Sequence, residues 1–442
     1  QRSVQQTAAG DNAREQNLMC RLTQMSWRKL AIPELETSAR TVASTLNELN
    51  VSTSEPDWLS MFKLDDSGET KTDFPTDGAA KVNEGDWKNK WPAWAKAVAA
   101  ARERQKKPPT PNPYPAITNT EQKQALHAIA EQLSAVADEL NTQALLFQAK
   151  VQETDKTAAT AAITRAVFGE ATSADDLTAA KFLGATSNRA TACAAAAVGK
   201  SILGDFYCLC TGTGSGDTEC GSGYSSTNGA TSITFGKAQL TSLTNTCPKA
   251  NDAPITALEI ATAIAEFSAT LKRNANADDA KVTLGKTTNH GCGGGAGEIC
   301  VTYEHHFTKK TKQGIEAFPW VIQLRNAQKK LLEMDRAASN HAALTAQPLA
   351  LKRQMDVAYA AAFQSRLKPS QKAAESPKAA QHESHTTHER QNKCKAAINK
   401  TAAGCAAIDC DYDNEKMNAK LKQKQKLQQE QEREIQLQCR LQ

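Results

Sequence analysis

The sequence predicts a mainly α-helical protein: long helices with coiled-coil seams, a looped head pinned by disulfides and carrying short strands, and a small cysteine-rich second domain. Three observations carry this reading. Long Ala-rich stretches keep apolar residues at three-to-four spacing, twelve cysteines cluster in Gly/Ser/Thr-rich segments with no C-x-x-C pair, and residues 366–393 are charged and nearly free of aliphatic side chains.

The first helix follows Asp11, where NAREQNLMCRLTQM puts Leu18, Leu22 and Met25 on one face. Beyond Pro33, Leu35, Ala39, Val42, Leu46 and Leu49 continue a helical stripe. Trp87, Trp91 and Trp94 follow at spacings of four and three, with Trp58 and Phe62 upstream. An aromatic stripe at helical spacing reads as core, here a connecting segment held against the stalk, rather than as a ligand site. Thr118-x-x-Glu121 has the pattern of a capping box. From there Leu126, Ile129, Leu133, Val136, Leu140, Gln143 and Phe147 form a coiled-coil seam, and a helix continuing to about residue 166 is roughly 70 Å long. Ile260, Ile264, Phe267 and Leu271 make a shorter helix, and Leu324, Ala327, Leu331, Met334, Ala338 and His341 resume a seam before Pro348. Residues 208–250 and 275–312, rich in Gly, Thr, Ser and Asn with the β-prone pieces SITF and ICVTY, read as the looped head. Residues 366–393 cannot bury a core and read as a flexible linker. Residues 394–442 contain C-x10-C-x4-C, too short to fold by burial alone, and read as a disulfide-held second domain.

The cysteines fix the compartment. Structural zinc normally takes two C-x2–4-C pairs, or C-x2-C with H-x3–5-H, and this sequence has no C-x-x-C, so no metal is expected. Cys208 and Cys210, separated by one residue, are badly placed to bond each other, and each is expected to reach a different distant partner. Disulfides are expected for Cys20, Cys193, Cys208, Cys210, Cys220, Cys247, Cys292, Cys300, Cys394, Cys405 and Cys410, with the pairing open because eight cysteines alone allow 105 arrangements. This is the usage of an extracellular protein. The chain opens at Gln1 with no apolar leader, as a mature secreted protein does, and no run of eighteen apolar residues exists. The sequons Asn50-Val51-Ser52 and Asn399-Lys400-Thr401 mark Asn50 and Asn399 as expected glycosylation sites. The net charge of +5 is spread among interleaved acids with sparse aromatics, which excludes a nucleic-acid stripe.

Chemical motifs are weak. Gly199-Lys200-Ser201 ends like a phosphate loop, but Ala194 stands where the leading glycine belongs, so plain helix is expected. The glycines at 212, 214 and 216 and Gly293-Gly294-Gly295 read as disulfide-bounded loops. Glu304-His305-His306 lacks metalloprotease spacing, His382, His385 and His388 lie in the linker, and His127 and His341 read as helix-surface or packed residues. No nucleophile, base and orienting acid lie near one another, so no enzyme, catalytic residue or cofactor is expected.

Read in order, GDNAREQNLMCRL, LNELNVSTSEPDWLSMF, DWKNKWPAWAKAVAAA, RATACAAAAVGKSILGDFYCLC, NTCPK, ICVTYEHH and FPWVIQLRNAQ resemble the type B amino-terminal domain of trypanosome variant surface glycoproteins over roughly residues 10–365. CKAAINKTAAGCAAIDCDYDNE resembles that family's cysteine-rich carboxy-terminal domain. The resemblance implies an elongated antiparallel helical coiled-coil bundle over residues 1–365. It also implies a homodimer, a glycosylphosphatidylinositol anchor to the plasma membrane, and a place on the cell surface as a replaceable coat that absorbs host antibodies. Residues 211–235 and 285–300 would then carry the exposed, variable loops. The alternative in the same architecture is a trypanosome surface receptor, which would bind one host serum protein saturably. The tail departs from the family: Cys439 comes late in a Gln/Lys-rich run with no anchor signal. Its composition reads as a solvated helix; as an alternative, with suitable codons the same nucleotides read two bases further along restore a cysteine near its expected place, which would make the tail a frameshifted terminus that could not take its anchor.

Overall fold

The structure is a computed structural model that describes residues 9–78, 80, 84–184, 189–194, 197–212, 219–221, 224, 237–273, 281–287, 292–293, 298–307, 314–364, 411–413 and 418–420. The chain divides into two compact units, Gln1–Leu367 and Lys368–Gln442.

The first unit is a helical bundle. Its elements in order are α1 (Ala13–Gln24), α2 (Ser38–Thr53), α3 (Pro56–Leu59), α4 (Glu84–Lys106), α5 (Thr120–Ala149), α6 (Asp155–Phe168), α7 (Ala179–Phe182), α8 (Arg189–Ala192), α9 (Ile202–Cys210), α10 (Lys237–Asn245), α11 (Ala257–Thr270), α12 (Glu304–Phe307) and α13 (Pro319–Gln364). Three short antiparallel strands, β1 (Lys272–Arg273), β2 (Val282–Gly285) and β3 (Cys300–Thr302), form one sheet in that order, with Thr283 opposite Thr302 and Gly285 opposite Cys300.

The expected long helix exists with an interruption. A π-helical turn, Lys150–Thr154, joins α5 to α6. A single helical path of roughly 70 Å results at 1.5 Å per residue. It lies against the 46-residue α13. The helix starts one residue later than the capping box implied. Asn119, in extended conformation, caps it by accepting the Gln122 N–H at 2.9 Å.

The seam is also re-registered. Leu126, Ala130, Leu133, Ala137 and Ala144 are buried, whereas Ile129 and Val136 are 41% and 43% exposed and Gln143 is exposed. The core face of α5 therefore alternates Leu with Ala. Small side chains let α5 approach α13 closely, and the larger Ile129 and Val136 fall on the outer face. On α13, Leu324, Ala327, Leu331, Met334 and His341 are buried as expected, with Ala337 rather than Ala338.

The second seam does not stop at Pro348. Pro348 is buried inside α13, and the helix continues to Gln364. An interior proline removes a backbone hydrogen bond and costs ~3 kcal/mol. Downstream contacts offset it: Met355 and Tyr359 are buried with Val42, Leu46, Leu126 and Leu133. The Tyr359 hydroxyl donates to the Pro115 carbonyl at 2.6 Å, and the Tyr114 hydroxyl donates to Asp356 at 2.5 Å.

The aromatic segment forms a satellite core. Trp91 is fully buried and stacks on Phe62 at 4.1 Å, with Phe74 edge-on at 5.3 Å. In the second unit the described residues are β4 (Asp411–Asp413) and β5 (Asn418–Lys420), paired antiparallel. The linker 366–393, Cys394, Asn399, Cys405, Cys410, Cys439, and the histidines 382, 385 and 388 lie outside the described residues.

Candidate functional site

The head is organised around α9, the segment Ile202–Cys210, all of whose residues are buried. Two residues apart on an α-helix, side chains point about 200° from each other. Cys208 therefore bonds Cys193 on one side of α9 and Cys210 bonds Cys220 on the other. Cys292 bonds Cys300 at the start of β3, and Cys20 on α1 bonds Cys247 beyond α10, a separation of 227 residues. The bonds at Cys208 and Cys210 pin their flanking segments to a fully buried helix.

Three buried polar side chains complete the frame. Asn12, immediately before α1, donates to the carbonyls of Leu209 at 3.1 Å and Ile299 at 2.9 Å, and its oxygen accepts the Lys286 N–H at 2.7 Å. The Arg189 guanidinium donates to the carbonyls of Cys208 at 2.6 Å, Cys292 at 3.3 Å and Thr211. It thereby caps the carboxy-terminal end of α9, where carbonyls lack helical partners and a cation is favoured.

Asp205 is the third. Its Oδ1 accepts the Gly199 N–H at 2.9 Å, and its Oδ2 accepts from the Tyr303 hydroxyl at 2.9 Å and the Trp320 indole N–H at 3.0 Å. Burial pushes its carboxyl up to about 6, against these three donors, which favour the ionised form. The same burial and the neighbouring Asp205 charge push the Tyr303 phenol up. His306, beside this network, donates from Nε2 to the Val198 carbonyl at 3.0 Å and sits 4.8 Å from the Phe318 ring, and burial lowers its pKa.

The motif Gly199-Lys200-Ser201 is not the plain helix expected. Gly199 has φ of +75°, a left-handed turn open to glycine. Ser201 is the N-cap of α9: its Oγ accepts the Gly204 N–H at 2.9 Å and donates to the Phe182 carbonyl at 2.8 Å. A Cβ on Gly204 would lie 2.4 Å from that carbonyl, so the close approach of α9 requires glycine. Lys200 pairs with Glu170 at 3.0 Å.

The Asn50 sequon sits in the last turn of α2, half-buried. His127 Nδ1 lies 3.2 Å from the Asn50 carbonyl and from Thr53 Oγ1, while His341 is buried in α13. Three surface cavities have volumes of about 810, 500 and 460 Å³. The first lies between α4 and the Leu64–Thr72 segment, the second beside the Arg104–Glu48 ion pair, and the third at Asn50. Among the described residues no three His, Cys, Asp or Glu side chains are placed to hold a metal ion, and no helix is long and apolar enough to cross a membrane. Of the segments expected to carry exposed loops, 213–218, 222–223, 225–236, 288–291 and 294–297 lie outside the described residues.

Two comparisons with known proteins bear on this arrangement. The family model described as Trypanosomal VSG domain matches residues 1–348. The chain is also similar to variant surface glycoprotein ILTAT 1.21 of Trypanosoma brucei brucei, at 24% identity over 435 residues, covering 93% of this chain and 86% of that protein.

Proposed function

The chain belongs to the trypanosomal variant surface glycoprotein family, and from that premise we propose that it serves as a replaceable protective layer whose variation evades host antibodies. The observation that supports this reading is the division of labour in the first unit. A helical core carries the load, three disulfides tie other segments to helices α1 and α9, and a fourth ties Cys292 to β3. Loop sequence can then change without disturbing helix contacts. Antibodies raised against intact cells should map to residues 211–235 and 285–300; mapping to 394–442 instead would overturn the orientation.

The functional unit in this proposal is a homodimer. Support for pairing comes from apolar residues left exposed on the long helices, namely Ile129, Val136 and Leu146 on α5 and Leu332, Leu349 and Val357 on α13. Sedimentation of the full chain should give a dimer at micromolar concentration, and a monomer would refute it. Saturable binding of one host serum protein would favour the receptor reading over the coat.

A further inference from the structure

We propose that the cavity bounded by Trp58, Trp87 and Trp94 seats the protein-proximal N-acetylglucosamine of a glycan carried on Asn50; the proposal rests on glycosylation of Asn50 and goes beyond it. The cavity, about 460 Å³, is lined by these three rings together with Asn50, Lys90 and Glu131. Its volume falls in the range of small-molecule sites.

Trp91 of the same cluster is buried as core, whereas Trp58, Trp87 and Trp94 remain half-buried around the cavity. Trp94 meets both Trp58 and Trp87 edge-to-face at 5.7 Å, so the cluster is ordered without being closed. Indole rings present flat apolar faces that match the C–H face of a pyranose, and the charged rim offers partners for hydroxyls and an N-acetyl group. Asn50 itself lines the cavity. A sugar attached there is therefore an intramolecular ligand, and a tether of this length supplies an effective concentration in the millimolar range. A contact too weak to capture free sugar is then occupied. Attachment forms a bond between Asn50 Nδ2 and C1 of the sugar. The amide loses a proton and a lipid-linked pyrophosphate leaves from C1.

The test uses the full chain secreted from a eukaryotic host with oligomannose glycans. Glycopeptide mass spectrometry reads occupancy at Asn50, and acrylamide quenching reads tryptophan access in three forms: intact, trimmed by endoglycosidase to one sugar, and Ser52→Ala, which lacks the sequon but keeps Asn50. The one-sugar form should quench like the intact protein. The sugar-free variant should quench more strongly than both, because Trp58, Trp87 and Trp94, three of the six tryptophans, gain access. A bare Asn50 in the secreted protein overturns the glycosylation reading and the seat with it. An occupied Asn50 with equal quenching in all three forms overturns the seat alone. Should Ser52→Ala fail to secrete, release of the glycan from the native protein by N-glycosidase decides: Trp87→Ala should be cleaved faster than wild type, and equal rates refute the seat.

Discussion

Replacing Asp205 with Asn keeps the size of the side chain and removes its charge, and the effect on stability should depend on pH in a defined direction. Burial raises the folded carboxyl from 3.8 to about 6, with the Gly199 N–H, Tyr303 hydroxyl and Trp320 indole N–H pulling the other way. A carboxyl with a folded pKa above its unfolded value binds its proton more tightly when folded. Its contribution to stability therefore grows as pH falls through about 6 and levels off below 3.8. Between pH 7.5 and pH 5 this linkage is on the order of 1 kcal/mol. The carboxamide has no such linkage. It also turns an N–H toward a donor that the carboxylate accepted, a pH-independent cost of about 1–3 kcal/mol. Asp205→Asn should accordingly destabilise the protein by on the order of 1 kcal/mol more at pH 5 than at pH 7.5. His306 and the remaining titrating groups are common to both proteins and largely cancel in the difference. Urea midpoints of the disulfide-intact full chain at the two pH values measure it. A difference of zero, or a larger loss at pH 7.5, would refute this account of the buried carboxylate.

Removing the Cys20–Cys247 bond by a double Ser substitution should cost about 5 kcal/mol on chain-entropy grounds, against about 2.5 for Cys292–Cys300, because the sequence separations are 227 and 8. Thermal midpoints in the reverse order would overturn that ranking. Asn12→Asp should cost about 3 kcal/mol or more, since a carboxylate oxygen would face the Leu209 and Ile299 carbonyls; chemical denaturation reads it. Leu133→Ala should cost about 3 kcal/mol, and Ile129→Ala under about 1 in the monomer, if the core face of α5 is the one described.

Much of the helical framework was legible because it follows periodicity. Leu18, Leu22 and Met25, and Val42, Leu46 and Leu49, are buried on the faces the spacing assigns. The seam of α5 misled because periodicity weighs large apolar residues most. Here the core takes Ala130, Ala137 and Ala144, whose signal in an Ala-rich sequence is faint. Pro348 misled because its local cost is offset by Met355 and Tyr359, which lie in contacts distant in sequence. Gly199-Lys200-Ser201 looked helical because alanines precede it, while the left-handed glycine and the cap on Gly204 are tertiary facts. Disulfide partners were illegible for a combinatorial reason. One signal was available and unused: an acid inside the apolar run ILGDFYCLC, which only a buried site with donors can hold.

The frame of the head is written largely in backbone atoms, and this bears on how its loops can vary. Asn12 reads two carbonyls and one N–H, and Arg189 reads three carbonyls, so neither depends on the side chains of the segments it holds. Between Thr211, whose carbonyl is bound to Arg189, and Cys220, which is bonded to Cys210, residues 213–218 can change while both ends stay held. Replacing residues 213–218 with another polar hexapeptide should therefore shift the thermal midpoint by no more than about 1 °C, within the range of ordinary surface substitutions. Arg189→Met should cost about 3 kcal/mol or more, because it leaves the carbonyls of Cys208, Thr211 and Cys292 buried without their donor. If the loop exchange costs as much as the Arg189 substitution, stability resides in the loop's own side chains, and tolerance of variation has to be explained by something other than this frame.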